Sequence, residues 1–398
     1  MNTGLFGIDN VNVWVDAVIR LNIIVILMTV VVMGLIYGER KIIARFQMRL
    51  GPTRTGPMGL LQAPADALKL VGKEDLRPAN ADPWVFELAV YFVFIPVFLM
   101  FVAIPFALDV EVRALELGLF YVLAVSSINI VGWVMAGWAS DNRYAMLGGM
   151  RAAAQAISYE IPLVLSLLAV AMVANSLNLT EIVMGQGRVP LIVWQPLAFV
   201  IFFIAMLAEL NRTPFDIALG ESETAGGPHI EYSGIRWSMF FLAEYAALFL
   251  LALIGSAVFL GGWAWPMGDG AYDLNLVGFI SAVGIDVEPI TVTLGRWWQL
   301  LLTATKTSLL IFLVFWVRVT LPRLRIDQLM SFAWKVLIPL VFAQILLNGL
   351  ILVYGWHDIF LLLTSGAGTV LLFVIIDRGV HRPRPQPAPL TPESEAAA

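Results

Sequence analysis

Cysteine is absent from the 398-residue sequence. That absence excludes disulfides and thiolate-ligated iron–sulfur clusters within the chain. Histidine is scarce, with His229, His357 and His381 the three present. A membrane haem needs axial ligands at membrane depth. His229 and His381 fall in polar segments, and His357 stands alone at the end of an apolar run. No redox centre is therefore expected in this chain. Charge is scarce too: 13% of residues are charged and 60% are hydrophobic, whereas soluble domains carry about 25% charged residues. So few charges cannot cover a water-exposed surface, and lipid must be the solvent over much of the molecule. No phosphate-binding glycine loop, zinc-ligand spacing, hydrolase triad or internal repeat is evident. Gly226-Gly227-Pro228 lacks the strand–loop–helix setting of a nucleotide site.

Long apolar runs are what the sequence has instead. Uncharged stretches occupy Leu21–Gly38, Leu88–Leu108, Leu117–Ser140, Ile161–Thr180, Val189–Ala208, Tyr245–Gly268, Val336–His357 and Ile359–Ile376. Each can cross a hydrocarbon core of about 30 Å as a helix. Trp297–Val317 is apolar except for Lys306. A buried lysine there needs a carboxylate partner or loses its proton. No basic region or small-residue cleavage site accompanies the first run, so it is expected to be retained as a helix. The expected fold is all-α: a polytopic transmembrane bundle of eight to nine helices, with one amphipathic surface helix and long loops on one side. Residues 1–380 form a single integral membrane domain on this reading. Residues 381–398, rich in Pro and Ala, form a disordered cytoplasmic tail. Asp269–Pro289, on the outer side, reads as a surface loop or short interfacial structure.

Nine spans sort the loops into two sets. Segments 39–87, 141–160, 209–244, 318–335 and the tail after 376 hold 19 of the 24 Lys and Arg residues. The positive-inside rule puts that set in the cytoplasm, with the N-terminus outside and the C-terminus inside. The same set holds 18 of the 29 Asp and Glu residues, which is more than simple anchoring requires.

Two of these loops stand out. In the first (39–83), Gln62, Asp66, Lys69 and Lys73 recur at spacings that share one helix face, opposite Leu60, Leu61, Leu68 and Val71. The pattern predicts an amphipathic helix over 59–73, lying at the membrane surface. Pro64 fits only if it falls in the first turn. Such a helix serves either as a plain interfacial anchor or as one wall of a cavity with an apolar floor and a polar head site. In the acidic loop (209–236) and its flanks, Glu209, Asp216, Glu221, Glu223, Glu231 and Glu244 face only Arg212 and Arg236. Glu160 begins another apolar stretch. Carboxylates gathered at membrane depth repel and can exchange protons near neutral pH. The plainer alternative is capping or pairing, such as Glu209 with Arg212 at i,i+3.

At these residues the sequence resembles the membrane-embedded H subunits of respiratory complex I, the proton-translocating NADH:quinone oxidoreductase. The matching blocks run in order through residues 36–335. They are Glu39-Arg40-Lys41, Gln47–Pro52, Gly56-Pro57, Ala65–Leu70, Lys73-Glu74-Asp75, Gly137–Ser140, Arg151–Gln155 and Ser158-Tyr159-Glu160, then Asn211–Asp216, Glu231-Tyr232, Glu244-Tyr245, Lys306 and Arg318–Met330. The resemblance implies a quinone-access chamber lined or supported by Arg40, Arg49, Gln62, Asp66, Lys69 and Phe215. It implies a proton path through Glu160, Glu209, Asp216, Glu221, Glu223, Glu231 and Glu244. Lys73, Glu74, Arg323 and Arg325 would hold a hydrophilic arm. Quinone would be the substrate, with FMN and iron–sulfur clusters in partner subunits. The partners implied are the hydrophilic quinone-site and iron–sulfur subunits and small membrane subunits, in an energy-transducing membrane such as the bacterial plasma membrane. The family pattern has a glutamate where Leu219 stands, and Thr224–Pro228 departs from it as well. Two other classes fit part of the sequence: a membrane subunit of a related hydrogenase or dehydrogenase, and an ion-coupled secondary transporter. The second usually shows repeats and charges at the midplane, which this chain does not.

Overall fold

The computed structural model describes residues 13–108, 110–186, 189–264 and 296–380. The tail 381–398 and Asp269–Pro289 lie outside the described residues. Helices, named here in chain order, are α1 (Val13–Phe46), α2 (Gln62–Val71), α3 (Pro83–Met100), α4 (Gly118–Ala139), α5 (Arg143–Ala174), α6 (Leu179–Met184), α7 (Leu191–Trp194) and α8 (Pro196–Glu209). They continue with α9 (Glu221–Thr224), α10 (Gly234–Leu260), α11 (Arg296–Thr320), α12 (Ile326–Phe332), α13 (Ile338–Val353) and α14 (Ile359–Val380). Among the described residues eight helices are long and apolar enough to cross a membrane, with α12 and α13 joined into one through a π turn. The protein is a polytopic helical bundle, as its composition requires.

Helix starts are set by local chemistry. The Asp82 carboxylate accepts from the N–H groups of Trp84 and Val85, and Pro83 opens α3. Asn142 caps α5 in the same way, accepting from Tyr144. The expected span at 189–208 differs from the other eight. Pro196 has no N–H to give, so the run splits into α7 and α8 around Gln195. The 14 residues of α8 reach about 21 Å, short of the hydrocarbon thickness. Two other helices outrun their apolar windows. The sequence places the start of the first loop at 39, yet α1 carries on through Glu39, Arg40 and Lys41 to Phe46. Likewise α5 starts at Arg143, well before Ile161.

The core is built around α10, whose apolar window is 72% buried, against 17% for the α1 and α14 windows. α10 is therefore central, and α1 and α14 face outward. Close crossings depend on glycine: a Cβ on Gly132 of α4 would sit 2.5 Å from Val93 Cγ2 of α3. The last apolar run forms a helix docked by a buried polar cluster. Ser365 of α14 accepts from the Leu197 N–H at 3.0 Å, and Gln344 and Asn348 of α13 donate to Gln195. Lys306 donates to the carbonyls of Leu260 and Gly262 at 2.7 and 2.6 Å, at the end of α10. A cation there satisfies carbonyls the helix leaves open, a main-chain role not foreseen for that lysine.

Candidate functional site

The first loop builds a polar wall. α2 begins at Gln62, so Pro64 falls in its first turn, where it is tolerated. Arg40 at the end of α1 meets Asp66 of α2 at 2.7 Å. Gln62 donates to the other Asp66 oxygen at 3.1 Å and accepts from Thr55 at 2.7 Å. Partial burial pushes the Asp66 carboxyl up, but hydrogen bonds from Arg40 and Gln62 and the Arg40 and Lys69 charges outweigh it and hold it below the usual carboxylate value. Arg49, in the turn after α1, donates to Gln47 at 2.7 Å, and Lys69 of α2 is exposed. On the opposite side Leu60, Leu61, Leu68 and Val71 are all exposed. A polar wall thus stands next to an open apolar surface.

A second group lies behind this wall. Gln155 of α5 donates to the carbonyls of Ala208 and Phe215, both at 2.7 Å, and to Asn211 Oδ1 at 3.1 Å. These bonds pin the turn that follows α8 and drive Arg212 inward, to 4% exposure. Arg212 does not turn to Glu209. Its Nη1 lies 3.5 Å from Glu39 Oε1 and its Nη2 3.3 Å from Glu244 Oε1. Its guanidinium also lies over the Tyr245 ring, 4.5 Å from the centroid. Glu39 pairs further with Arg318 of α11. Two carboxylates and two guanidiniums therefore form one chain across α1, α10, α11 and the acidic loop, with Glu39 and Arg212 buried and Arg318 half-buried at its end. Glu39 Oε2 and Arg212 Nε have no hydrogen-bond partner among the described residues.

The remaining acidic residues are distributed around this chain. Glu160 accepts from Ser127 of α4 and interacts electrostatically with Glu209, whose Oε2 is buried without a hydrogen bond. Asp216 pairs with Arg323 at 3.0 Å, Glu223 with Arg151 at 3.0 Å, and Glu231 accepts from Asn142 at 2.7 Å. Glu221 lies in α9, with its side chain outside the described residues. Leu219 packs half-buried against the core. Phe215 is buried, its ring 5.3 Å from that of Tyr159. Lys73 and Glu74 are exposed, while Arg325 precedes α12 and its N–H donates to Gln328 at 3.2 Å. His229 is half-buried between Trp133 and Phe240, its Nε2 shielded from solvent, and that desolvation pushes its imidazole down to about 4.

Residues of this arrangement missed in the sequence are Glu39, Arg212, Arg318 and Gln155. Glu39 stood in a charge run that looked like the flank of a span. The signal that could have found it is the unbroken helical propensity from Gly38 to Phe46. Arg318 looked like one more positive-inside anchor. Among the described residues no group of three or more His, Asp or Glu is placed to hold a metal ion.

Fold and site define a polytopic helical membrane protein whose ionisable groups interlock where α1, α5, α8, α10 and α11 meet. Residues 19–349 match the family described as NADH dehydrogenase, and the chain belongs to that family. It is 44% identical over 335 residues to the H subunit of NADH-quinone oxidoreductase from Dehalococcoides mccartyi (strain CBDB1), covering 84% of this chain and 86% of the relative. It is 44% identical over 333 residues to the H subunit from Brevibacillus brevis, covering 83% and 92%. The corresponding figures for the Bacillus cereus (strain B4264) protein of the same name are 45% over 342 residues, covering 85% and 95%.

Proposed function

We propose that the protein is the H subunit of a proton-translocating NADH:quinone oxidoreductase, and that it forms the quinone-access chamber and an acidic proton path. The observation that carries this reading is the junction of the Arg40–Asp66 wall with the buried Glu39–Arg212–Glu244 chain. Glu39 and Arg40 are neighbours on α1, so one residue step links the two groups. The exposed Leu60 and Leu61 just before α2, with Leu68 and Val71 on it, suit an isoprenoid tail arriving from lipid, and the polar face suits the headgroup.

Reduction of a quinone to a quinol takes two electrons and two protons. The electrons come from partner subunits that hold FMN and iron–sulfur clusters. Arg49, Gln62, Lys69 and Phe215 support the chamber alongside Arg40 and Asp66. Arg212 shares one guanidinium between Glu39 and Glu244, so a proton gained or lost by one changes the pull on the other. Glu160 and Glu209 extend the line of carboxylates, and Asp216, Glu221, Glu223 and Glu231 supply it from the loop. Lys73, Glu74, Arg323 and Arg325 face the hydrophilic subunits. The chain sits in an energy-transducing membrane, the bacterial plasma membrane, with its N-terminus outside and its C-terminus in the cytoplasm.

A photoreactive quinone analogue in the intact complex tests this. Label is expected within 36–75 and 209–245. Label that avoids both segments contradicts the proposal.

A further inference from the structure

The far ends of the two functional loops are fastened to each other. Residues 231–236 close the acidic loop, and 73–87 close the first loop and start α3. Arg236 Nη1 lies 2.8 Å from Asp75 Oδ1, and its other nitrogens reach both oxygens of Glu87, with Nε to Oε2 at 3.2 Å. The same guanidinium lies over the Phe86 ring, 5.6 Å from its centroid. Phe86 stacks on Tyr232 with centroids 4.0 Å apart, and the Tyr232 hydroxyl donates to the Phe86 carbonyl at 3.2 Å. Ser233 donates to the Glu74 carbonyl at 3.2 Å and accepts from the Leu76 N–H at 3.1 Å. Gly234 has φ 56 and lies so close that a Cβ there would sit 3.1 Å from the Lys73 carbonyl oxygen. Any side chain at 234 would be strained and would push the two segments apart.

These contacts differ in kind: charge pairs, ring stacking, side-chain hydrogen bonds and a glycine approach. All join the same two short segments. An Arg held by two carboxylates and an aromatic face has a fixed orientation, which a lysine's single charged point does not reproduce. Glu231, one of the acidic-loop carboxylates, is the residue just before this clasp, held by Asn142. Lys73 of the first loop's polar face lies at its other end.

We propose that Arg236 is a positioning residue: with Asp75 and Glu87 it fixes the register between the chamber loop and the acidic loop, so quinone affinity and proton yield both depend on it. This rests on the chamber and proton-path reading above. A clasp that only stabilised the fold would change the amount of complex and leave the behaviour of each assembled complex alone. One that sets register changes how each complex handles quinone, because the chamber wall and the carboxylates no longer sit at their native offset.

The test uses the whole complex reconstituted in vesicles, with NADH oxidation by a short-chain quinone and proton uptake measured together. Ferricyanide reduction, which bypasses the quinone site, reports the amount of intact donor arm. Arg236→Gln is expected to raise the quinone KM at least about fivefold and to lower protons translocated per quinone reduced, with ferricyanide activity unchanged. Arg236→Lys recovers part of both losses. Glu87→Gln, which keeps the Asp75 pair, gives a smaller change in the same direction and serves if Arg236→Gln does not assemble. Wild-type KM and proton yield in assembled complexes carrying these variants overturn the proposal, even where less complex is made. Asp66→Asn runs alongside. If it also behaves as wild type, the chamber reading itself fails; if it raises KM while Arg236→Gln does not, only the clasp fails.

Discussion

At the scale of single residues, Arg212 shows how much depends on one side chain. It sits at 4% exposure between Glu39 and Glu244. Removing one member of a buried ion group leaves its partners charged in a low dielectric. Arg212→Met is expected to cost about 3–5 kcal/mol of stability, read as a fall in the thermal midpoint of the purified complex; an unchanged midpoint contradicts the buried chain. The plainer alternative in the sequence is a pair with Glu209 at i,i+3. The helix ends at Glu209, so that spacing no longer puts the two side chains on one face. His229 gives a pH prediction. Its folded value, pushed down to about 4 by burial, lies below its ordinary value of 6.5. Below pH 6.5 the unfolded chain takes up a proton that the folded chain refuses. Stability is therefore present above that pH and lost as pH falls toward 4, by about 3 kcal/mol in total. His229→Phe, which keeps the ring between Trp133 and Phe240, should flatten this part of the thermal midpoint against pH. Identical slopes in both proteins contradict it.

At the scale of elements, apolar windows located each of the eight membrane-length helices among the described residues, but not where each one stops. A window ends where charge begins, whereas a helix ends where its hydrogen bonds run out. α1 and α5 therefore carry Glu39, Arg40, Arg151 and Gln155 on rigid helix rather than on loop. The two-sided pattern of α2 was legible, because 4- and 3-residue spacing is a property of sequence alone. The fit of the acidic loop onto α5 was not. Gly148 meets Gly227 so closely that a Cβ would lie 2.5 Å from the Gly227 Cα. Backbone on the other side leaves little room to yield. Gly148→Ala is expected to destabilise by about 1–3 kcal/mol and to shift the acidic loop. Hydrogen exchange of residues 220–232 checks this, and unchanged protection there contradicts it.

At the scale of the whole molecule, membrane location and bundle class follow from composition, and family membership from ordered motifs. The interlocked charges could not be read from sequence, because Glu39, Arg212, Glu244 and Arg318 are brought together only by the packing of distant helices. The proposed orientation, with the N-terminus outside and the C-terminus inside, requires an odd number of crossings, so under it the broken α7–α8 segment would count as a crossing beside the eight long helices. The lack of cysteine makes this direct to test. Tyr354→Cys, at an exposed position in the turn between α13 and α14, should react with an impermeant thiol reagent from outside in intact cells. Reaction only after the membrane is opened contradicts the orientation. The account as a whole stands on the acidic line as the route from quinone chemistry to proton movement. The most direct measurement is the rate of proton translocation and the rate of quinone reduction, read together in vesicles carrying Glu160→Gln, with Glu223→Gln beside it. The account predicts that both proton translocation and quinone reduction fall while ferricyanide activity holds. Wild-type rates of proton translocation and quinone reduction in both variants would contradict it.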